Sequence, residues 1–305
     1  MNTNIPISSP ESNIEVKPTR HKGGYWWRVL LITFGLYIAG IVIMLFTGNP
    51  NLFPTIAILG NFMIPVTYVA FFYERRHLSQ LTFPSLFLGF LAGGLLGVFV
   101  ASILEPLFIK SIDFLTFFQI GFIEEFVKIL GVLVIARRLN HDSELDGMIL
   151  GAAAGMSFAA LESMGYTFTS LLSSGGSLSL TVGVTLLRGL LSPLGHGTWS
   201  AILVGVLFRE SRAGRFRLDL RLILAYLTVA ILHGLWDGLP GVIGAFTGSG
   251  LDVFISQTLI GLVGIFLLWL RWREAVRLQL TQINPVSVEN VESAENEEKI
   301  NSTQQ

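Results

Sequence analysis

The sequence predicts an all-α, polytopic transmembrane helical bundle of about eight spans, with both termini in the cytoplasm. Of the 305 residues, 51% are hydrophobic and only 13% are charged, and the mean hydropathy is +0.64. Apolar runs long enough to cross a bilayer recur along the chain. The basic residues, moreover, gather in alternate loops, as the positive-inside rule requires of loops that face the cytoplasm.

Each apolar run is predicted to be one spanning helix. The eight runs are 26–47, 52–73, 84–104, 114–136, 147–172, 180–207, 221–246 and 251–272. The first run is long enough to stay in the membrane and follows a polar segment, so it is interpreted as a retained span and not as a signal peptide.

The loops that follow the second, fourth and sixth spans carry most of the basic residues. Examples are Arg75, Arg137 and Arg209, whereas the loops on the opposite side hold only Lys110. With eight spans, all the basic loops and both termini share one side, which the positive-inside rule assigns to the cytoplasm. The chain is therefore expected in the cell membrane.

Three regions are expected. Residues 1–25 form a polar N-terminal tail, 26–273 form the bundle, and 274–305 form a tail rich in Asn, Gln, Glu and Ser. Both tails are predicted to be disordered, because they cannot bury enough apolar surface to fold.

Composition excludes several function classes. Without cysteine, the chain has no disulfide, no thiol catalysis and no cysteine–metal site. A net charge of −1 gives no indication of a nucleic-acid partner.

Ionisable side chains lie deep within four consecutive spans, where each is costly and is by default a functional hypothesis. They are Glu124, Glu125 and Lys128 in the fourth span, Glu162 in the fifth, Arg188 and His196 in the sixth, and His233 and Asp237 in the seventh. Arg188 is nearer the outer face and is interpreted as structural. Six of the others lie about 18–24 Å from the cytoplasmic edge: Glu124, Glu125, Glu162, His196, His233 and Asp237. A shared depth indicates one site.

The spacing of these residues also favours one site. His233 and Asp237 are four residues apart and share a helix face. Glu124 and Glu125 lie about 100° apart around their helix, so one can pair with Lys128 while the other faces a cavity. Such a pair can divide into an ionised carboxylate and one that exchanges a proton.

Pro193 is predicted to break the sixth span close to His196. Gly189, Gly195 and Gly197 loosen the same stretch. Backbone groups that are freed at membrane depth must be covered by protein or by water, so a hydrated cavity is expected beside His196.

Glutamate and histidine in a water-accessible layer are suited to activating water. A carboxylate can take the proton directly, or two histidines and a carboxylate can hold zinc with an open position for water. Both routes lead to hydrolysis. A proton-coupled transporter, which uses the same residue types, is the alternative function, and a non-catalytic scaffold is a third.

Four motifs occur in order on consecutive spans. "EEFVK" contains Glu124, Glu125 and Lys128, "FAALE" contains Glu162, and "HGTWSAILVG" and "HGLWD" follow. Together they resemble the PrsW family of membrane-embedded proteases, which belongs with the CAAX prenyl endopeptidases and bacteriocin-processing enzymes. Prenyl-processing relatives tend to have Arg and His where this chain has Lys128 and Glu162, which favours the PrsW branch.

The resemblance implies an endopeptidase that cleaves a membrane protein or peptide at or near the bilayer, with a catalytic core of about 114–240. It implies that Glu124 and Glu125 form the water-activating centre. His196 and His233 would then be metal ligands or oxyanion stabilisers.

By the same resemblance, Glu162 and Asp237 would be ligands or orienting groups, and Lys128 would set the ionisation of the glutamate pair. A zinc ion would be held by His196, His233 and Glu162. A metal-free glutamate mechanism is the alternative, and the sequence does not choose between the two.

Overall fold

The computed structural model describes residues 24–111, 113–137, 143–211, 215–248 and 251–283. Within these residues the chain forms nine α-helices. They are α1 (Trp26–Thr47), α2 (Phe53–Glu74), α3 (Phe83–Phe108), α4 (Phe114–Ala136), α5 (Glu144–Ser173), α6 (Leu178–Leu191), α7 (His196–Arg209), α8 (Leu220–Thr247) and α9 (Asp252–Ile283). The predicted all-α class is confirmed for this part of the chain.

Helices α6 and α7 occupy the stretch that was predicted as a single sixth span. A 3-10 turn at Ser192–Leu194 separates them, and Gly195 follows with a non-helical backbone conformation. The predicted break at Pro193 is therefore confirmed. Its consequence is that His196 becomes the first residue of α7 instead of a residue within a continuous helix.

Seven stretches of the described chain are long and apolar enough to cross a membrane, with α6 and α7 counted as one. The protein is therefore a multi-pass membrane protein. Helix α4 is not among the seven, although it has 23 residues, because three ionisable side chains interrupt its apolar sequence. The total of eight spans and the orientation of the termini stay predictions.

Helix α5 is the centre of the bundle and packs mainly against α3 and α7. Gly93 and Gly94 of α3 lie directly on Ala154 and Ser157 of α5, where a β-carbon would overlap those residues. Small residues let two helix backbones approach closely. The glycines of α3 and α5 thus serve packing within the bundle.

Helix α4 packs chiefly against α3 and α8. A capping box starts it: the Thr116 amide donates to Asp113 Oδ1 at 3.0 Å, and the Asp113 amide donates to Thr116 Oγ1 at 2.9 Å. These bonds satisfy amides that have no partner within the helix. The start of the helix that carries the glutamate pair is therefore fixed.

Helix α9 continues to Ile283, ten residues beyond the boundary predicted at 273. The other tail residues that were predicted to be disordered lie almost entirely outside the described residues. The outer surface of the bundle is rich in exposed apolar side chains, such as Phe46, Phe99 and Leu262. Such a surface suits a lipid environment.

Candidate active site

Lys128 is the point at which the charges of the site meet. Its Nζ lies 3.2 Å from Glu124 Oε2 and 2.8 Å from Glu125 Oε1. The same ammonium lies 2.8 Å from His196 Nδ1 and stands 4.2 Å from the centre of the Phe158 ring. All these groups are buried, so the ammonium offsets two carboxylates in a region of low dielectric.

His233 joins α8 to the glutamate pair. Its Nδ1 lies 3.0 Å from Glu125 Oε1, and a carboxylate can only accept, so Nδ1 donates. Its Nε2 lies 3.6 Å from Glu124 Oε2 and 3.4 Å from Asp237 Oδ2. Glu125 is thus enclosed between an ammonium and an imidazole, with no exposed surface.

His196 connects the glutamate pair to α5. Because a lysine ammonium can only donate, His196 Nδ1 accepts from Lys128 and the ring proton lies on Nε2. That nitrogen is 3.1 Å from Glu162 Oε2, and Glu162 Oε1 is 2.9 Å from Arg188 Nη2. Arg188, interpreted from sequence as structural, therefore touches the network through Glu162.

Two tryptophans pack behind the histidines. The Trp199 ring centre is 4.9 Å from that of His233 and 5.6 Å from that of His196, and Trp236 packs edge-on against it at 5.5 Å. Trp199 is fully buried. These rings limit the rotation of both imidazoles, so the two tryptophans act as packing residues.

A cavity of about 330 Å³ opens beside the network, between α3, α4, α5 and α8. Its lining includes Glu124, whereas Glu125 lies behind it. Among the described residues, the close polar contacts of Glu124 are all made by Oε2, which leaves Oε1 for the cavity. The side chains of Glu162 and Asp237 also line the cavity and are 21% and 31% exposed.

The structure brings together all seven residues singled out in the sequence: Glu124, Glu125, Lys128, Glu162, His196, His233 and Asp237. Their catalytic roles stay predictions. Sequence reasoning missed Glu105, which lines the same cavity from the last turn of α3. The predicted third span ended at 104, so Glu105 was left in a loop, and a longer estimate of that helix would have revealed it.

Glu124, His196 and His233 form a group able to hold a metal ion, with one ligand atom from each within 4.8 Å of the others. One carboxylate and two imidazoles with room for water are a known zinc donor set. The group has Glu124 where the sequence analysis proposed Glu162, which instead contacts the far nitrogen of His196.

The family model described as PrsW family intramembrane metalloprotease matches residues 82–270. The match begins just before α3 and ends within α9, so it includes every residue of the site. The comparison with curated proteins found no match, and neither did the comparison with solved structures.

Proposed function

The chain belongs to the PrsW family of intramembrane metalloproteases, and on that basis we propose that it hydrolyses a peptide bond of a membrane protein with water activated by Glu124. The observation that carries the proposal is the placement of Glu124 at the cavity wall. Its Oε2 is held by Lys128, while Oε1 is available to a water molecule. A carboxylate so placed can act as the general base.

Glu125 and His233 would hold this base in position. Glu125 accepts from both Lys128 and His233, and that contact fixes the imidazole so that Nε2 points towards Glu124 and Asp237. In this arrangement His233 Nε2 can receive the proton from Glu124 and pass it to the leaving amine. Asp237, four residues further along α8, would accept a hydrogen bond from Nε2 on the cavity side once that nitrogen carries the proton.

His196 would serve the oxygen of the scissile carbonyl. Its protonated Nε2 lies 3.1 Å from Glu162 Oε2, and Glu162 lines the cavity, where a substrate carbonyl can accept a hydrogen bond from this nitrogen. A preorganised donor of this kind stabilises the negative charge that develops on the oxygen. Lys128 keeps His196 in the required tautomer by donating to Nδ1.

A zinc ion held by Glu124, His196 and His233 would supply Lewis-acid polarisation of the water and of the scissile carbonyl. Lys128 Nζ lies 2.8 Å from His196 Nδ1, so ligation through that nitrogen requires the ammonium to move away. Zinc in the purified wild type but not in a His196→Ala/His233→Ala variant, with cleavage lost on chelation and restored by zinc, would support the metal route. Full activity after chelation would support the glutamate route.

We infer two further properties from the sequence pattern. The order of a Glu-Glu span followed by two polar spans supports kinship with the CAAX prenyl endopeptidases and bacteriocin-processing enzymes. The distribution of basic loops supports a location in the cell membrane with both termini in the cytoplasm.

Reconstitution in liposomes tests the proposed function against transport. We expect the purified protein to cleave a generic transmembrane peptide, with one new amino terminus per cut, and to produce no proton flux. Proton flux that depends on Glu162 and Asp237, without any peptide cleavage, would contradict the proposal and support a transporter.

A further inference from the structure

The cavity in front of Glu124 has a defined origin in the packing of α3. In one half of the bundle, Gly93, Gly94 and Gly97 bring α3 into contact with α5. The glycines end at Gly97, and the cavity lining begins at Val98. Where larger side chains replace glycine the two helices cannot approach as closely, so a space remains between them.

The lining of this cavity combines acidic and apolar side chains. Among the described residues, it holds four carboxylates, those of Glu105, Glu124, Glu162 and Asp237, and no lysine or arginine. Val98, Ala101, Phe117, Ile120 and Phe158 provide apolar surface.

Three of the four carboxylates already have cationic or imidazole neighbours. Glu124 contacts Lys128 at 3.2 Å, Glu162 contacts Arg188 at 2.9 Å, and Asp237 contacts His233 at 3.4 Å. Glu105 differs, because no ion pair or side-chain hydrogen bond joins its carboxylate to any part of the chain that the structure describes. It is half-buried in the last turn of α3, where an unpaired charge is costly.

A second acceptor lies next to Glu105. Pro106 has no amide hydrogen, so the carbonyl of Ser102 lacks the donor that a continuous helix would give it. Ser102 lines the cavity. Glu105 and Ser102 therefore line one wall of the cavity, and Glu124 lines another.

We propose that this cavity binds a lysine or arginine side chain of the substrate beside the scissile bond, with Glu105 as its ion-pair partner. The apolar wall would cover the aliphatic stem of such a side chain while the acceptors take its charged end. The inference rests on the proposed protease function and adds a substrate preference to it. Glu105 is thus a specificity-determining residue.

Matched peptides test this preference in the reconstituted protein. One transmembrane peptide is prepared in pairs that carry Lys or Gln at each single position flanking the cleavage site. We expect wild-type kcat/KM to favour Lys over Gln at one position, by about tenfold for a partly buried ion pair.

Variants at Glu105 give the decisive comparison. Glu105→Gln should reduce the Lys-to-Gln ratio to about one, and Glu105→Lys should favour a peptide with Glu at the same position. Ser111→Lys, which raises the net charge by one unit as Glu105→Gln does but in an exposed loop on that side of the bundle, should leave the ratio unchanged. Thermal unfolding in detergent verifies that each variant is folded.

The possible failures are distinguishable. Equal ratios in wild type and Glu105→Gln, or no wild-type preference at any position, would overturn the inference while leaving the protease function intact. A wild type that cleaves neither peptide would contradict the proposed function itself, and with it the inference that rests on it.

Discussion

Lys128 is the cation that the glutamate pair and His196 share. It contacts two carboxylates and one imidazole, and it is buried. A buried ion pair adds little net stability relative to apolar residues, but removing one partner leaves an uncompensated charge. Lys128 is therefore needed both for the stability of the bundle and for the positions of the polar side chains around it.

Replacing Lys128 with Met should destabilise the protein strongly. The change leaves Glu124 and Glu125 buried without their cation, so we expect the free energy of unfolding to fall by about 3–5 kcal/mol. Denaturant titration in detergent micelles measures this change. Lys110→Met is the matched control, because Lys110 is exposed and, within the described residues, bonds only to the Pro106 carbonyl. We expect it to shift stability by less than about 0.5 kcal/mol. Equal stability of the two variants would contradict the assigned contacts.

At the residue scale, the sequence predicted which side chains meet. It did not predict which of them face the cavity and which lie behind it. Shared depth identified the polar layer, because depth follows from counting residues at a fixed rise. The orientation of Glu124 towards the cavity and of Glu125 away from it depends on the rotation of α4 against α3 and α8, which no local pattern specifies. The contact of Arg188 with Glu162 likewise depends on how α6 packs against α5.

At the scale of helices, the close contact between α3 and α5 sets the width of the site. It depends on glycines that face Ala154 and Ser157 across the interface. Where that contact ends, the cavity begins.

Gly94→Ala should disrupt this contact. Its new methyl group would overlap the Ser157 side chain, and overpacking of this kind costs about 1–3 kcal/mol. We expect a lower unfolding temperature and lower protease activity. Gly183→Ala on α6 is the matched control, since nothing lies within 4 Å of its added carbon, and its unfolding temperature should not fall. A Gly94→Ala protein as stable as the Gly183→Ala protein would show that the interface is looser than described.

The sequence predicted most helices well because long apolar runs are a strong signal. The predicted bounds of the second run, 52–73, differ by one residue from Phe53–Glu74. The end of α3 was placed four residues early, since Glu105 and Pro106 resemble a loop start although the helix includes both. The end of α9 was also placed early, because Arg271 and Arg273 marked a membrane edge but did not stop the helix.

At the scale of the whole molecule, the topology depends on α4. Seven other stretches have the length and hydropathy of spans, and only if α4 also crosses do the basic loops all face one side. The burial of its charged residues within the bundle explains how a helix with three ionisable groups can cross the membrane.

Single-cysteine labelling tests this topology without background, because the chain contains no cysteine. Ser111 and Arg137 are exposed residues at opposite ends of α4. With eight spans and cytoplasmic termini, a membrane-impermeant maleimide should label Ser111→Cys in intact cells and Arg137→Cys only after permeabilisation. Labelling of both from the same side would mean that α4 does not cross.

The central claim, that Glu124 activates the water for peptide hydrolysis, is tested most directly by the cleavage rate of Glu124→Gln in liposomes. The amide keeps the size of the side chain but cannot take a proton, so we expect kcat to fall by at least about 10²-fold, with the protein still folded by its unfolding temperature. Glu210→Gln, at the end of α7 and paired with Arg221, should retain the wild-type rate. A folded Glu124→Gln protein that cleaves the peptide as fast as wild type would contradict the claim.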